Sequence, residues 1–209
     1  AVERAGIDPQ EVDDVVMGCG RPEGATGKNV ARLSAIRAGL PVTTAATTIN
    51  RFCSSGLQAI ATAAQRVIVD KVPVMVAGGV ESISLVEKSL NQSHIEEEWL
   101  MKHKPELWMP MIETADTVAG RYGISREAQD EYALFSEQRT AAAQDAGRFD
   151  DEIVPLASVK QVTDKEFCET HDEQVTLEKD EGNRPQTSAE GLAKLEPVLG
   201  PEKWITAGN

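Results

Sequence analysis

Across the first eighty residues, short apolar or β-branched runs alternate with helix-spaced segments, and this alternation restricts the chain to a layered α/β arrangement. Residues 12–18 (VDDVVMG) read as a short strand, and a glycine-rich loop follows over 18–27. Residues 29–38 place Val30, Leu33, Ile36 and Ala38 near helical spacing, with Gly39 and Pro41 ending the segment. Residues 44–50 (TAATTIN) are β-branched and read as a second strand. Residues 54–69 carry small residues all round, so a buried helix is expected. Residues 72–77 (VPVMVA) are continuously apolar, the pattern of a strand in a sheet covered on both faces.

The character changes after about residue 84, which divides the chain into an α/β core over 1–84 and a loop-rich α+β segment over 85–209. Residues 85–110 are polar and irregular. Helices are expected over 113–122 and 126–146, the second with Ser125 as N-cap and Gly147 as its stop. Residues 149–156 read as a strand, 159–182 are charged and mixed in pattern, and 188–195 form a short helix before Pro197. Residues 1–6 (AVERAG) look like the last turns of a helix closed by Gly6, so any targeting segment is expected to lie upstream.

The net charge of −13 excludes a general nucleic-acid binder, which needs a basic footprint to displace counterions from phosphates. It leaves room for an anionic small ligand held by a few cations and backbone amides. No apolar run approaches the roughly 18 residues needed to span a bilayer. The 3 cysteines are odd in number and scattered, which argues against a disulfide framework and for a reducing, cytoplasmic compartment.

The most informative segment is Asn50-Arg51-Phe52-Cys53-Ser54-Ser55-Gly56. It sets Cys53 at a strand-to-helix junction, where the free amides of a first helical turn and the helix dipole favour a thiolate. Ser54, Ser55 and Gly56 keep that turn uncrowded, as a bulky thioester requires. Geometry alone leaves two readings open, an exposed nucleophile or a small buried core cysteine.

The wording around Cys53 resembles the thiolase active-site signature, with Asn50, Cys53, Ser55 and Gly56 in the Asn-x-x-Cys-x-Ser-Gly positions. Residues 74–82 (VMVAGGVES) are similar to that family's strand and Gly-Gly-x-Glu-Ser turn. Thr114-Ala115-Asp116, residues 123–130 (GISREAQD), 149–155 (FDDEIVP), 190–195 (EGLAKL) and the closing Thr206-Ala207-Gly208-Asn209 extend the match. The resemblance implies a layered αβαβα fold of two similar halves. This chain would supply most of the first half, with an inserted loop domain. It also implies acyl transfer through a Cys53 thioester. The expected reaction is thiolysis of 3-ketoacyl-CoA, as in fatty-acid β-oxidation, with Claisen condensation in reverse. The alternatives are a biosynthetic acetoacetyl-CoA thiolase and a non-catalytic CoA- or lipid-binding relative.

The family's catalytic His and second catalytic Cys have no match here, so a chain of these residues alone is expected to be inactive. His94, His103 and His171 stand outside any matching motif, as do Cys19 and Cys168. Cys168 and His171 have C-x-x-H spacing, but two ligands make no metal site. The resemblance places coenzyme A beside Arg184, which would pair with a phosphate or cover the adenine, and beside Met111. The residue before Met111 is Pro110, where the family carries His. A solvated Arg and a core Met are the alternatives. No tightly bound cofactor and no metal are expected. Acyl-CoA and CoA are the expected substrates, and a homodimer or homotetramer the expected assembly.

Overall fold

The three strands that the alternation predicts are present and parallel: β1 (Asp14–Gly18), β2 (Ala45–Ile49) and β3 (Met75–Gly79), in the order β2-β1-β3. The structure, a computed structural model, describes residues 1–87, 90–163 and 169–209. These fall into two compact units, Ala1–Ile95 and Glu96–Asn209. In the first, Gly18 is in register with both Ile49 and Gly79, so the carboxyl ends of the three strands are level. Parallel neighbours need crossover connections, supplied by α2 (Val30–Arg37) and α3 (Ser55–Gln65). The short α1 (Val2–Ala5) precedes the sheet and ends at left-handed Gly6, as expected, and α4 (Ile83–Val86) follows it.

The central strand β1 is buried on both faces, whereas the strand expected over 72–77 to be covered on both is β3, half-buried at one edge of the three-stranded sheet. Val15 packs with Ala35 and Leu40 on the α2 side, joined by Met17 and Val76. The alternate residues point the other way, and Gly18 lies directly under Ser55 and Gly56 of α3. Asn29 caps α2 by accepting from the Arg32 amide, and its own amide donates to the Ala46 carbonyl, tying the helix to β2.

The expectation of a helix buried all round over 54–69 is corrected. α3 buries only the stripe Ser55, Ala59 and Ala63, at the i, i+4, i+8 spacing of one face, while Leu57 and Ile60 are 70% and 57% exposed. Small residues let that stripe approach the sheet closely, and the larger ones fall on the opposite side. A π-helical turn, Arg66–Asp70, continues α3, and the Arg66 guanidinium lies 2.6 Å from the buried carboxylate of Asp14 at the start of β1.

The second unit holds α5 (Glu98–His103), α6 (Met111–Tyr122), α7 (Arg126–Asp145), β4 (Leu156–Thr163), β5 (Thr170–Leu177) and α8 (Ala189–Ala193). Ser125 caps α7 by accepting from the Ala128 amide, and left-handed Gly123 and Gly147 follow α6 and α7. The strand expected over 149–156 is instead a turn, in which the Glu152 and Ile153 amides both donate to the Phe149 carbonyl. The strand begins at Leu156. β4 and β5 pair antiparallel from Leu156 with Leu177 to Thr163 with Thr170. Only Val162 and Val175 in this ribbon are half-buried, so it lacks the apolar alternation that marks a strand.

The closing residues are tied to two helices. Asp116 of α6, buried, accepts from the Trp204 amide at 3.0 Å and lies 2.9 Å from the Lys203 ammonium. Arg126 pairs with Asp130 at 2.8 Å and donates to the Leu192 and Leu195 carbonyls, while Asn209 donates to Asp130. Among the described residues no helix is long and apolar enough to cross a membrane, and no group of three His, Cys, Asp or Glu side chains is placed to hold a metal ion.

Candidate active site

Cys53 follows β2 by four residues and precedes α3 by two, at the carboxyl edge of the parallel sheet, the usual place for ligand crevices in such sheets. Side chains on either side fold the loop into a sharp elbow. The Asn50 Oδ1 accepts from the Phe52 amide at 2.8 Å, closing an Asx turn. The buried Ser55 hydroxyl accepts from the Arg51 amide at 2.8 Å and donates to the Phe52 carbonyl at 2.5 Å. Between them Phe52 adopts a left-handed φ of 48°, a conformation that costs a non-glycine residue about 1–2 kcal/mol. Two of the four signature residues, Asn50 and Ser55, thus hold the loop, and a third, Cys53, is presented by it.

Cys53 is exposed and packs in no core of the described residues. Ser54, at the N-cap position of α3, makes no side-chain cap, so its hydroxyl does not occupy the first-turn amides. The glycines at the strand ends let α3 start this close to the sheet. A Cβ on Gly18 would overlap the Ser55 carbonyl, and one on Gly79 would lie 3.3 Å from the Gly18 carbonyl oxygen. In the sequence Gly18 ends an expected strand and Gly79 stands in a motif turn, and a glycine at a strand end is the signal for such close backbone approach.

The turn after β3 also reaches this edge. Glu81 Oε2 accepts from the amides of Gly20 at 2.7 Å and Arg21 at 3.2 Å, and Oε1 lies 3.8 Å from the Cys19 sulfur. Cys19 is buried. An apolar cavity of about 350 Å³, lined by residues including Val2, Val15, Met17, Leu40 and Val76, lies on the α2 side of the sheet.

Met111 and Arg184 belong to the second unit, Met111 at the start of α6 and Arg184 in the loop before α8. Met111 opens α6 and is 80% exposed. The Arg184 amide donates to Glu137 of α7 at 2.8 Å and its carbonyl accepts from the Thr187 hydroxyl, which fixes the backbone and leaves the residue exposed. His94 sits in a left-handed turn, His103 stacks on Trp99 with 4.4 Å between ring centroids and bonds the Trp99 carbonyl, and His171 lies exposed in β5. Cys168, the partner in the C-x-x-H spacing, lies outside the described residues.

The profile of the family described as "Thiolase, N-terminal domain" matches residues 1–209. The 3-ketoacyl-CoA thiolase of Bacillus subtilis (strain 168) is 42% identical over 213 residues, covering 100% of this chain and 53% of that protein. A beta-ketoadipyl-CoA thiolase of Acinetobacter baylyi is 41% identical over 214 residues, covering 95% of this chain and 51% of its own length. Among solved structures, the acetyl-CoA acetyltransferase of Bacillus anthracis superposes with a TM-score of 0.82 at 36% identity, over 100% of this chain and 53% of that one. The chain therefore spans about half the length of the relatives it matches.

Proposed function

The chain belongs to the thiolase family, and on that footing we propose that the protein carrying it transfers acyl groups between coenzyme A thioesters through Cys53. The observation that carries this reading is the exposed Cys53 thiol at the elbow between β2 and α3. In thiolysis the Cys53 sulfur attacks C3 of a 3-ketoacyl-CoA. The C2–C3 bond breaks with its electron pair on C2, which takes a proton and leaves as acetyl-CoA. The shortened acyl group stays on Cys53 as a thioester until the thiol of free CoA attacks it. Cys53 then leaves as the thiol and the shortened acyl-CoA departs. The start of α3 favours the negative charge that develops at this edge.

Coenzyme A is a co-substrate in this reading, with Met111 against its apolar arm and Arg184 toward a phosphate or the adenine. The cell context proposed is fatty-acid β-oxidation in the cytoplasm, with a homodimer or homotetramer as the working assembly. The 41% identity to a beta-ketoadipyl-CoA thiolase favours a second substrate reading, an acyl chain ending in a carboxylate. The test is CoA-dependent cleavage by the intact protein of acetoacetyl-CoA, a long-chain 3-ketoacyl-CoA and 3-ketoadipyl-CoA. Preference for the long chain supports the degradative reading. Preference for either other substrate moves it to a biosynthetic or a dicarboxylate thiolase. No cleavage of any of the three, or full activity in Cys53→Ala, overturns the acyl-transfer reading.

A further inference from the structure

We infer that Glu81 is a positioning residue for the Cys53 loop, because its carboxylate seats the Gly20–Arg21 backbone against the carbonyl of Phe52; the inference rests on Cys53 being the acyl acceptor. Glu81 leaves the end of β3, Gly20 leaves the end of β1, and Phe52 leaves the end of β2, so one carboxylate bears on all three strand exits. Two successive amides, those of Gly20 and Arg21, converge on Oε2 at 2.7 and 3.2 Å, forming the small concavity of N–H groups that suits an anion. Hydrogen bonds of this kind to an ionised acceptor are about twice as strong as neutral ones.

Gly20 lies between the two partners: a Cβ built on it would lie 2.9 Å from Glu81 Oε2 and 3.3 Å from the Phe52 carbonyl oxygen, so a side chain there would displace the carboxylate and crowd that carbonyl. That carbonyl is the same group that Ser55 holds through its amide and hydroxyl. A left-handed Phe52 persists only where its surroundings over-determine it. Asn50 and Ser55 supply the constraint from within the loop, and Gly20, held by Glu81, supplies it from outside. The residue next to Phe52 is Cys53, so slack at Gly20 reaches the sulfur by one peptide unit. Glu81 thereby acts through backbone, without contact with substrate.

The test uses the intact protein, with single-turnover acylation of Cys53 by acetoacetyl-CoA, steady-state kcat and KM, and thermal unfolding. Glu81→Ala is expected to slow acylation and kcat roughly tenfold, the rate equivalent of one lost charge-assisted hydrogen bond, with KM held within about twofold. Glu81→Gln keeps an oxygen acceptor for the Gly20 amide and is expected to recover most of that rate. Gly20→Ala, whose Cβ would displace the Glu81 carboxylate and crowd the Phe52 carbonyl, is expected to slow acylation without changing KM; it decides the matter if Glu81→Ala does not fold. Wild-type acylation rates in folded Glu81→Ala or in Gly20→Ala overturn the inference. So does a Glu81→Gln rate as low as that of Glu81→Ala, since the retained oxygen acceptor would then hold nothing in place. Failure of wild-type Cys53 to become acylated would instead overturn the reading of Cys53 itself.

Discussion

Replacing Gly18 with Ala tests the claim that the sheet's carboxyl edge sets the position of the nucleophile. Gly18 ends β1, and a Cβ there would overlap the Ser55 carbonyl group and sit 2.6 Å from the Gly56 amide nitrogen. These are backbone atoms of the first turn of α3, so no side-chain rotation relieves the overlap. Gly18 is not among the glycines with positive φ, so the penalty is one of space and not of backbone conformation. Overpacking of this kind costs about 1–3 kcal/mol, and the rigid neighbour places this case toward the upper end. The cheapest relief is for the first turn of α3 to lift by about 1 Å, and a misplacement on that scale costs roughly a hundredfold in rate. Denaturant unfolding and single-turnover acylation of the intact protein read the two effects separately. Gly78→Ala is the control: it is one residue from Gly79 in β3, has nothing within 4 Å of its would-be Cβ, and should be neutral or stabilising by about 0.5 kcal/mol. A Gly18→Ala protein with the wild-type midpoint and the wild-type acylation rate would refute the reasoning, as would equal damage from Gly78→Ala.

Cys53→Ser should abolish the acyl-enzyme while shifting stability by no more than about 0.5 kcal/mol, because the residue is exposed; calorimetry and activity on one preparation check both. Arg66→Ala removes the cation 2.6 Å from Oδ2 of buried Asp14, whose Oδ1 has no hydrogen-bond partner among the described residues. The expected loss is about 1–3 kcal/mol in urea unfolding, held below the figure for a fully buried pair because the Arg66 side chain is 42% exposed; an unchanged midpoint would contradict it. Asp116→Asn should destabilise at neutral pH only. The hydrogen bond from the Lys203 ammonium, and after it the Trp204 amide, holds the Asp116 carboxyl below the usual range. The folded value lies under the unfolded one, so the contribution is complete above the ordinary Asp value of about 3.9 and fades as pH falls through the folded value. Wild type and Asp116→Asn should therefore converge in acid, and a gap that stays constant with pH would show that charge plays no part.

The first unit was legible because each of its elements obeys one period. Residues 12–18 read as a strand, and Asn29 and Gly39 bracket α2 where the structure has it, whereas the double cover expected of residues 72–77 is found at β1 instead. The junction at Cys53 was legible because a β-branched run is followed at once by a small-residue helix, while the chemistry expected there came from the resemblance of the letters around it. What failed had no period to read. The β4–β5 ribbon exposes both faces, so its charged residues mask two strands, and the apolar letters of residues 149–156 suggested a strand where Gly147 and the acidic residues after Phe149 make a turn. Burial of α3 was overstated because small residues on every side do not tell which side meets the sheet; Leu57 and Ile60 are on the side that does not. Contacts between distant residues, such as Glu81 with Gly20 or Asp116 with Lys203, leave no mark on local pattern at all.

The most direct test of the central claim is the mass of the intact protein after exposure to acetoacetyl-CoA without free CoA, followed by peptide mapping. One acetyl group, located on Cys53 and removed when CoA is added, is the predicted result. An adduct on Cys19 or elsewhere, or no adduct on a folded protein, would contradict the assignment of Cys53 as the acyl acceptor.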